Sequence, residues 1–312
     1  MRILCTGGAG FICSHVVDAL IEQGHHVAIQ DNLSTGFKKN LNPKAVFYNY
    51  DIRLIDPTRA ILQTEQPEVV IHHAAQMDVR KSVVDPAFDA DVNILGSLNV
   101  LTLAQKYGCR KFVHISSGGA VYGEPLANPV SEVDPVHPLC PYGITKHTFE
   151  HYLYVWEKLY GMEYVVLRYP NVYGPRQNPY GEAGVTAIFA NKMLRGEPVT
   201  INGDGEQVRD YVYVSDIVQA NILALRDDVK NVILNVGSNH GTSVNSIFAN
   251  LADMIGYTQQ PFYGPAKLGE TRKIWLDNTR ITRLGWKQEV NLYYGLRSLV
   301  DHLEKEIEHE SA

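Results

Sequence analysis

Tyr142 and Lys146 are the pair of side chains in this sequence best suited to acid–base chemistry. They stand four residues apart in a predicted helix over 141–159, so both lie on one face of it. An ammonium beside a phenol favours the phenolate, so we expect Lys146 to lower the pKa of Tyr142 from its ordinary value of about 10. Tyr142 could then take a proton from a substrate hydroxyl. The same spacing is also common on solvated helix faces, so it indicates a site only together with other features.

A hydroxyl group is available near this pair. Ser116 and Ser117 end a predicted strand, and Ser117 precedes Tyr142 by 25 residues. A hydroxyl at the end of that strand could polarise the same substrate oxygen as the phenol. A tyrosine, a lysine and a serine together are more specific evidence for a catalytic site than the tyrosine–lysine spacing alone.

A glycine-rich turn, Thr6-Gly7-Gly8-Ala9-Gly10, lies between a predicted strand and a predicted helix. Glycines let a backbone approach a pyrophosphate closely, and the N-terminus of the following helix offers free N–H groups. Asp31 follows Gly10 by 21 residues, at the end of the second strand. An acid at this distance accepts hydrogen bonds from an adenosine ribose and repels a 2′-phosphate, so we predict NAD rather than NADP. A plain tight turn is the alternative interpretation.

Cys13 replaces the third glycine of this pattern. That glycine normally lets the first helix pack closely against the sheet. We therefore expect the thiol to displace the helix slightly outward, without loss of the pyrophosphate contacts.

The elements that position these residues alternate along the first half of the chain. Val- and Ile-rich runs predict strands at 2–6, 27–31, 45–50, 69–73, 111–116 and 164–169. Helical spacing predicts helices at 11–23, 90–107 and 141–159, and a loop follows at 171–184. This pattern is typical of a parallel sheet covered on both faces. We predict an α/β fold with a doubly wound parallel-sheet Rossmann domain, residues 1–178 plus about 208–236, and a smaller mixed C-terminal substrate domain, about 179–207 plus 237–312.

Composition and charge exclude several classes of partner. The 312 residues include 28 basic and 34 acidic side chains, a net charge of −6, which gives no reason to expect nucleic acid. No apolar run approaches the roughly 20 residues of a membrane-spanning helix, so no membrane partner is expected.

Four scattered cysteines predict buried thiols in a reducing, cytoplasmic setting. We expect no metal site, because His72 and His73 are adjacent in a strand and point to opposite faces.

Further motifs accompany the glycine-rich turn. They are Asp31-Asn32-Leu33, Asp51-Ile52, His73-Ala74-Ala75, Val121-Tyr122-Gly123, Cys140-Pro141-Tyr142-Gly143-Ile144-Thr145-Lys146, Leu167-Arg168-Tyr169-Pro170-Asn171-Val172-Tyr173-Gly174-Pro175 and Val208-Arg209-Asp210-Tyr211-Val212-Tyr213-Val214. With them the chain resembles, over nearly its full length, the extended short-chain dehydrogenase/reductase family of nucleotide-sugar enzymes. Within that family the motifs are most similar to those of the UDP-glucose 4-epimerases. The resemblance implies interconversion of UDP-glucose and UDP-galactose through a 4-keto intermediate with transient NADH.

The resemblance also implies roles for individual residues. Tyr142 would be the base, Lys146 its activator and ribose anchor, and Ser117 a third catalytic residue. The cofactor-binding residues would be Gly7, Gly10, Phe11, Ile12, Asp31, Asn32, Asp51, Ile52, Ala74, Ala75, Gln76, Asn93, Ser116, Tyr142, Lys146 and Tyr169. The substrate-binding residues would be Ser117, Gly118, Tyr142, Asn171, Arg209, Arg272 and Ile274, with the arginines paired to the diphosphate.

Two positions depart from the family pattern. Gly118 stands where the family usually has Ser or Thr. Either Ser117 reaches the substrate oxygen instead, or Tyr142 works without a hydroxyl partner, and we favour Ser117. Lys267 stands where an arginine often binds phosphate, which keeps the charge but loses the bidentate geometry, so we expect Arg272 to dominate.

Positions 119 and 120 indicate which reaction follows oxidation of the sugar. Related dehydratases carry an Asp–Glu pair there and decarboxylases keep a Glu, whereas this chain has Gly119 and Ala120. Elimination therefore lacks its catalyst, and return of the hydride to the opposite face of the sugar is the simple outcome that remains. A CDP-sugar 2-epimerase, a sugar-nucleotide dehydratase and a non-catalytic NAD-binding regulatory protein are the alternatives. Ile274 takes the position that tunes room for an N-acetyl group, which leaves the choice of sugar open.

The resemblance further implies a homodimer. Family members pair through the helix predicted here at 141–159 and the helix before it, forming a four-helix seam. The apolar face of Phe149, Leu153 and Trp156 fits this, although a face buried within one chain would have the same composition.

Overall fold

The computed structural model describes residues 1–180, 184–266 and 271–311. Its strands are β1 (Arg2–Thr6), β2 (His26–Gln30), β3 (Val46–Tyr48), β4 (Val69–His72), β5 (Lys111–Ser117), β6 (Glu163–Tyr169), β7 (Asn171–Tyr173), β8 (Thr200–Asn202), β9 (Val208–Arg209), β10 (Tyr211–Tyr213), β11 (Val232–Asn235), β12 (Thr242–Ser243) and β13 (Phe262–Gly264). Its α-helices are α1 (Phe11–Glu22), α2 (Ile55–Glu65), α3 (Val79–Val84), α4 (Pro86–Ala90), α5 (Ser97–Lys106), α6 (Gly118–Val121), α7 (Pro141–Tyr160), α8 (Val185–Leu194), α9 (Val214–Ala224), α10 (Val244–Ile255), α11 (Thr279–Arg283) and α12 (Leu292–Ser311). A 3-10 helix (Lys38–Asn40) precedes β3, and a π-helix (Asp91–Gly96) joins α4 to α5.

Seven strands form one parallel sheet in the order β11-β6-β5-β4-β1-β2-β3. The chain moves outward from β1 through β2 to β3 and then crosses back to β4, so the strand order reverses between β1 and β4. In doubly wound sheets a ligand crevice opens at the carboxyl ends of the strands at this switch point. The predicted Rossmann fold is confirmed, and the glycine-rich turn after β1 lies at the switch point.

Helices cover both faces of this sheet because each one buries an apolar stripe. On one face, α1 and α9 contribute Val16, Leu20 and Ile217 to the core. On the other face, α2, α5 and α7 contribute side chains such as Leu101 and Phe149. The strands between these layers are buried from both sides, which is why they appear in the sequence as continuous apolar runs.

A separate core lies outside the sheet, among α8, α10 and α12. Phe189, Ile247 and Leu299 are buried in it, and Tyr173 and Tyr211 pack at its edge. Tyr173 belongs to β7 and Tyr211 to β10, and these two strands pair in parallel. This core therefore supports the strands that carry Asn171 and Arg209, two of the predicted substrate residues. No helix among the described residues is both long enough and apolar enough to cross a membrane.

Two local predictions need correction, and one helix was not predicted. The helix predicted at 90–107 starts earlier, at Pro86, because the Asp85 side chain accepts the Phe88 N–H and caps the chain there. The loop predicted at 171–184 starts with β7, and its residues 181–183 lie outside the described part of the chain. Helix α2 was not predicted, because it buries few apolar side chains, Ile61 and Leu62 among them.

Candidate active site

The turn after β1 is shaped to approach a phosphate closely. Gly7 has a φ of +74°, and a Cβ on it would lie 2.7 Å from the backbone nitrogen of Ala74, in the loop after β4. Gly10 is the N-cap of α1. Because glycine has no side chain, nothing at this position competes with an anion for the first N–H groups of that helix. Gly7 thus lets the loops after β1 and β4 come together, and the free N–H groups at the start of α1 fit the pyrophosphate of NAD.

Asp31 ties this turn to the end of β2. Its carboxylate accepts the Ala9 N–H at 3.0 Å and the Leu33 N–H at 2.7 Å. Burial raises the pKa of Asp31, while these two hydrogen bonds oppose the rise. Each carboxylate oxygen has a second lone pair that can accept from a ribose hydroxyl.

The residues predicted to bind the adenosine end are also linked to one another. The Asn32 amide donates to the Asp51 carboxylate at 2.8 Å, and Asp51 forms an ion pair with Arg53 at 2.9 Å. Ile52 is buried beside them and packs near Gly96 of the π-helix. The structure thus brings Asn32, Asp51 and Ile52 together beyond β2, as a shared adenosine site requires.

Cys13 lies buried between α1 and β1, with its thiol 3.7 Å from the Thr6 carbonyl oxygen. Burial raises the pKa of this thiol well above its ordinary value, and Cys5 beside it adds to the rise. The thiol is therefore a packing group and a poor nucleophile. The outward displacement of α1 expected from Cys13 stays a prediction.

A buried carboxylate holds two predicted cofactor residues, Gln76 and Asn93. Asp89 accepts from the Gln76 amide at 2.8 Å, from the Asn93 amide at 3.1 Å and from the Thr145 hydroxyl at 2.8 Å. Asn93 lies in the π-helix and Thr145 precedes Lys146 on α7. Sequence reasoning missed Asp89, whose only signal is its position one turn before Asn93.

Helix α7 starts at Pro141 and places Tyr142 and Lys146 on one face, as predicted. The Lys146 ammonium is buried, donates to the Ile115 carbonyl oxygen at 2.9 Å and lies 5.9 Å from the centroid of the Tyr142 ring. A hydrogen bond joins the Tyr142 phenol to the Ser117 hydroxyl. The tyrosine, lysine and serine therefore converge at the end of β5.

The expected lowering of the Tyr142 pKa by Lys146 is wrong. Burial raises the pKa of Tyr142, and the hydrogen bond with Ser117 offsets only part of that rise. Burial also lowers the pKa of Lys146 to about 8, although the charges of Asp89 and Glu150 favour its cationic form. The phenol keeps its proton because desolvation exceeds the stabilisation that its neighbours give the phenolate.

The neighbouring Ser116 faces the other way. Its hydroxyl donates to Glu150 at 2.6 Å, and Glu150 forms a buried ion pair with Arg168 at 2.6 Å. Although burial opposes it, hydrogen bonds from His147 and Arg168 hold the pKa of Glu150 at about 2. Arg168 also donates to the Tyr122 hydroxyl at 2.7 Å. This network supports the carboxyl ends of β5 and β6, and a role for Ser116 in cofactor binding stays a prediction.

Tyr169 closes the cofactor side of the site. Its hydroxyl accepts from the Asn221 amide at 2.6 Å and lies 3.4 Å from the His73 ring nitrogen Nε2. Burial and the charge of Lys146 lower the pKa of His73 to about 3, so this ring is neutral. Its other nitrogen, Nδ1, is buried and has no hydrogen-bond partner among the described residues. A polar cofactor at the switch point could satisfy that atom.

A pocket beside Ser117 brings together three of the predicted substrate residues, Asn171, Arg209 and Ile274. Its remaining lining residues are Gly119, Pro170, Asp210 and Leu276. A Cβ at Gly118 would lie 2.4 Å from the Leu276 Cδ1 atom, so the Ser or Thr usual in the family would require the Leu276 side chain to move. This contact accounts for the glycine at 118.

Arg272 is not among the lining residues of this pocket. It forms a bidentate ion pair with Asp204, with both N···O distances at 2.8 Å. A diphosphate would therefore have to replace Asp204 as its partner. Lys267 lies outside the described residues. Those residues also contain no group of three His, Cys, Asp or Glu side chains that could hold a metal ion.

Comparison with known proteins identifies the family. The family model described as the NAD-dependent epimerase/dehydratase family matches residues 3–237. The chain belongs to the NAD-dependent epimerase/dehydratase family. It is 50% identical over 299 residues to a putative UDP-glucose 4-epimerase of Methanocaldococcus jannaschii, covering 96% of this chain and 97% of that protein. It is 43% identical over 307 residues to a UDP-glucose 4-epimerase of Mycolicibacterium smegmatis, covering 96% of this chain and 98% of that protein.

Solved structures of this family superpose closely on the chain. A UDP-glucose 4-epimerase of Thermotoga maritima with UDP-glucose matches at a TM-score of 0.97 and 50% identity, covering 98% of this chain and 100% of that one. A UDP-glucose 4-epimerase of Thermus thermophilus with NAD matches at 0.93 and 41% identity, covering 97% and 99%. The family resemblance and the NAD dependence predicted from the sequence are confirmed, whereas the roles of individual residues stay predictions.

Proposed function

We propose that the protein is an isomerase that interconverts UDP-glucose and UDP-galactose with NAD as its cofactor. The observation that carries this proposal is the position of Tyr142. Its phenol bonds to Ser117, and Ser117 stands two residues before Gly119 in the wall of the pocket that holds Asn171 and Arg209. The Ser117 Oγ atom lies 4.0 Å from the position of a Cβ on Gly119, so the Tyr142–Ser117 pair stands beside this pocket. The relatives named UDP-glucose 4-epimerase, at 43% and 50% identity, support the same substrate.

The residues divide the work as follows. Tyr142 takes the proton of the sugar C4 hydroxyl while Ser117 holds the same oxygen, and Lys146 activates Tyr142 and anchors the cofactor ribose. Gly7, Gly10 and Asp31 would hold NAD, which when bound accepts a hydride from the sugar and returns it. Because burial favours the neutral phenol, we infer that Tyr142 would act as a base beside the positive charge of the oxidised nicotinamide ring.

Epimerisation, and not elimination, follows from what surrounds the pocket. A Cβ at Gly119 would lie 3.7 Å from the Asn171 side-chain oxygen, an ordinary contact distance, so crowding does not require glycine at this position. Neither residue 119 nor residue 120 supplies an acid that could deprotonate the sugar at C5. Arg209, and Arg272 once released from Asp204, would anchor the diphosphate while the sugar turns.

We also propose a homodimer, although through other residues than expected. Phe149 and Leu153 are fully buried in the core of their own chain, so they are not available to a partner. Apolar side chains elsewhere on this side of the molecule are exposed, among them Val84 on α3, Leu95 in the π-helix and Leu159 on α7. Two copies paired through α7 and the run from α4 to α5 would cover this surface in a four-helix seam. Sedimentation at high concentration as a single-chain species would contradict it.

Two coarser proposals accompany this one. The division into an NAD-binding domain, 1–178 plus about 208–236, and a substrate domain stays as predicted, supported by the separate core among α8, α10 and α12. All four cysteines are free and buried, which supports the proposed reducing, cytoplasmic setting.

The test is conversion of UDP-galactose to UDP-glucose by purified protein with no added cofactor. We expect conversion by the unmodified protein and a loss of about 10²–10⁴-fold in kcat for Tyr142→Phe, because the base is removed. Tyr154→Phe is the matched control, since Tyr154 is exposed on the same helix. Its activity should equal that of the unmodified protein. Similar activity in both variants would overturn the assignment of Tyr142.

A further inference from the structure

Asp210 is a buried acid between β9 and β10 that the reaction does not use. It is 3% exposed, and the hydrogen-bond donors that face its carboxylate are uncharged. Its carboxylate accepts hydrogen bonds from two other segments. The Ser238 N–H and hydroxyl donate at 2.9 Å and 2.6 Å, and the Leu276 N–H donates at 3.0 Å. Burial of a carboxylate costs free energy even when uncharged donors surround it.

The sequence around Asp210 is fitted to this convergence. A Cβ on Gly237 would lie 2.6 Å from the Asp210 Oδ2 atom and 2.5 Å from the Leu276 Cβ atom. Only glycine at 237 therefore lets the turn after β11 and the Leu276 segment meet at the carboxylate. The Asp210 backbone makes a fourth connection, because its carbonyl oxygen accepts the Asn171 N–H at 3.0 Å.

These contacts join three of the segments that line the proposed sugar pocket. Asn171 is held through the Asp210 backbone, Arg209 is the preceding residue, and Ile274 lies two residues before Leu276. We propose that Asp210 is a positioning residue, whose carboxylate holds the 274–276 segment against β9 and β10 and thereby sets the pocket for the UDP-sugar. The inference rests on the proposed function, since it names that ligand.

The charge state of Asp210 makes the inference testable. Burial raises the pKa of Asp210 to about 6, against the hydrogen bonds from Ser238 and Leu276. At neutral pH the carboxylate is ionised and both oxygens accept. Below about pH 6 one carboxylate oxygen carries a proton that faces the N–H donors, so the hydrogen bonds that hold the 274–276 segment weaken as the pH falls. The charged and titratable neighbours are Arg209 and Tyr211 on its own segment and His240 after β11.

The experiment measures the Kd of UDP by calorimetry for the NAD-loaded protein and for Asp210→Asn at pH 8.0 and pH 5.5. The amide has the shape of the acid but presents an NH₂ group to N–H donors. At pH 8.0 we expect Asp210→Asn to raise the Kd of UDP about 10-fold and the KM of UDP-galactose similarly, with kcat within about threefold. For the unmodified protein we expect the Kd to rise about threefold between pH 8.0 and 5.5, and for Asp210→Asn to stay constant.

Two further variants separate the outcomes. Asp228→Asn removes an exposed charge paired with Arg226 and should leave every value unchanged. Ser238→Ala keeps the backbone donor and removes the hydroxyl, so a rise of about threefold in Kd is expected even if Asp210→Asn folds poorly. Failure of the unmodified protein to bind UDP would contradict the proposed function itself. Binding by the unmodified protein with the same Kd and pH dependence in Asp210→Asn would overturn only the role of Asp210.

Discussion

At Tyr142, two opposing effects determine where one proton lies. Desolvation favours the neutral phenol, and the Ser117 hydroxyl favours the phenolate. Lys146 stands close, yet its Nζ atom donates to the Ile115 carbonyl oxygen and lies 5.9 Å from the centre of the Tyr142 ring. Residue type and spacing predicted which side chains meet. They could not predict the direction in which the pKa of Tyr142 shifts, because desolvation depends on which parts of the chain cover the phenol.

The two serines at the end of β5 should separate catalysis from support. Ser117→Ala removes the hydrogen bond to Tyr142, so we expect kcat to fall about 10–100-fold while bound NAD is retained. Ser116→Ala takes a donor from the buried Glu150, so we expect unfolding free energy to fall by about 1–3 kcal/mol, with a smaller loss of kcat. Steady-state kinetics and urea unfolding measure both effects. Equal losses of kcat in the two variants would contradict the assignment of Ser117.

Among the elements, the turn after β1 combines two separate demands on glycine. Gly7 needs its left-handed φ of +74°, and it also needs the absence of a Cβ because Ala74 is so close. Gly24, after α1, has a similar φ of +79° with nothing within 4 Å of a Cβ. Comparison of Gly7 with Gly24 therefore separates the cost of a left-handed backbone from the effect of a side chain on the turn after β1.

We predict that Gly7→Ala and Gly24→Ala each lose about 1–2 kcal/mol of stability from the left-handed backbone. Only Gly7→Ala should also lose bound NAD, by at least about tenfold in occupancy, because the loops after β1 and β4 must separate. Urea unfolding and quantification of NAD released from the purified proteins test this. Equal NAD content in the two variants would show that the close approach of Gly7 to Ala74 does not shape the site.

The elements themselves were largely predictable, and the exceptions share a cause. Strands buried on both faces and the long helix α7 have strong local patterns, so their positions followed from the sequence. Helix α2 buries few apolar residues, and β7 exists because β10 lies beside it. Asp89 and Asp210 were missed for the same reason, since their importance comes from partners distant in sequence: Thr145, Ser238 and Leu276.

On the scale of the whole molecule, buried histidines link the fold to pH. His72 and His114 are fully buried and stack with ring centroids 5.9 Å apart. Burial, with the charge of Lys146, lowers the pKa of both well below 6.5. The unfolded chain therefore binds protons that the folded chain does not, and stability present above about pH 6.5 is lost as the pH falls. Asp210 has the opposite effect. Because burial raises its pKa, the folded chain binds one proton there at a pH where the unfolded chain has lost it.

His114→Phe isolates one of these histidines. Neither ring nitrogen of His114 has a hydrogen-bond partner among the described residues, and its ring packs 4.7 Å from that of Phe149. We expect the variant to be more stable at neutral pH, because an unsatisfied polar group is removed. Below about pH 6, its unfolding free energy should fall less steeply, by about 1.4 kcal/mol per pH unit. Urea unfolding from pH 7.5 to 5.0 measures the slopes, and parallel curves would contradict the prediction.

The most direct test of the central claim follows the hydrogen at sugar C4. Purified protein, without added cofactor, is incubated in water with UDP-galactose carrying deuterium at C4, and the UDP-glucose formed is examined by mass spectrometry and NMR. If Tyr142 removes only the hydroxyl proton and the C4 hydrogen returns to the sugar from which it came, the deuterium stays at C4 of the product. Replacement of that deuterium by hydrogen from water would contradict this account.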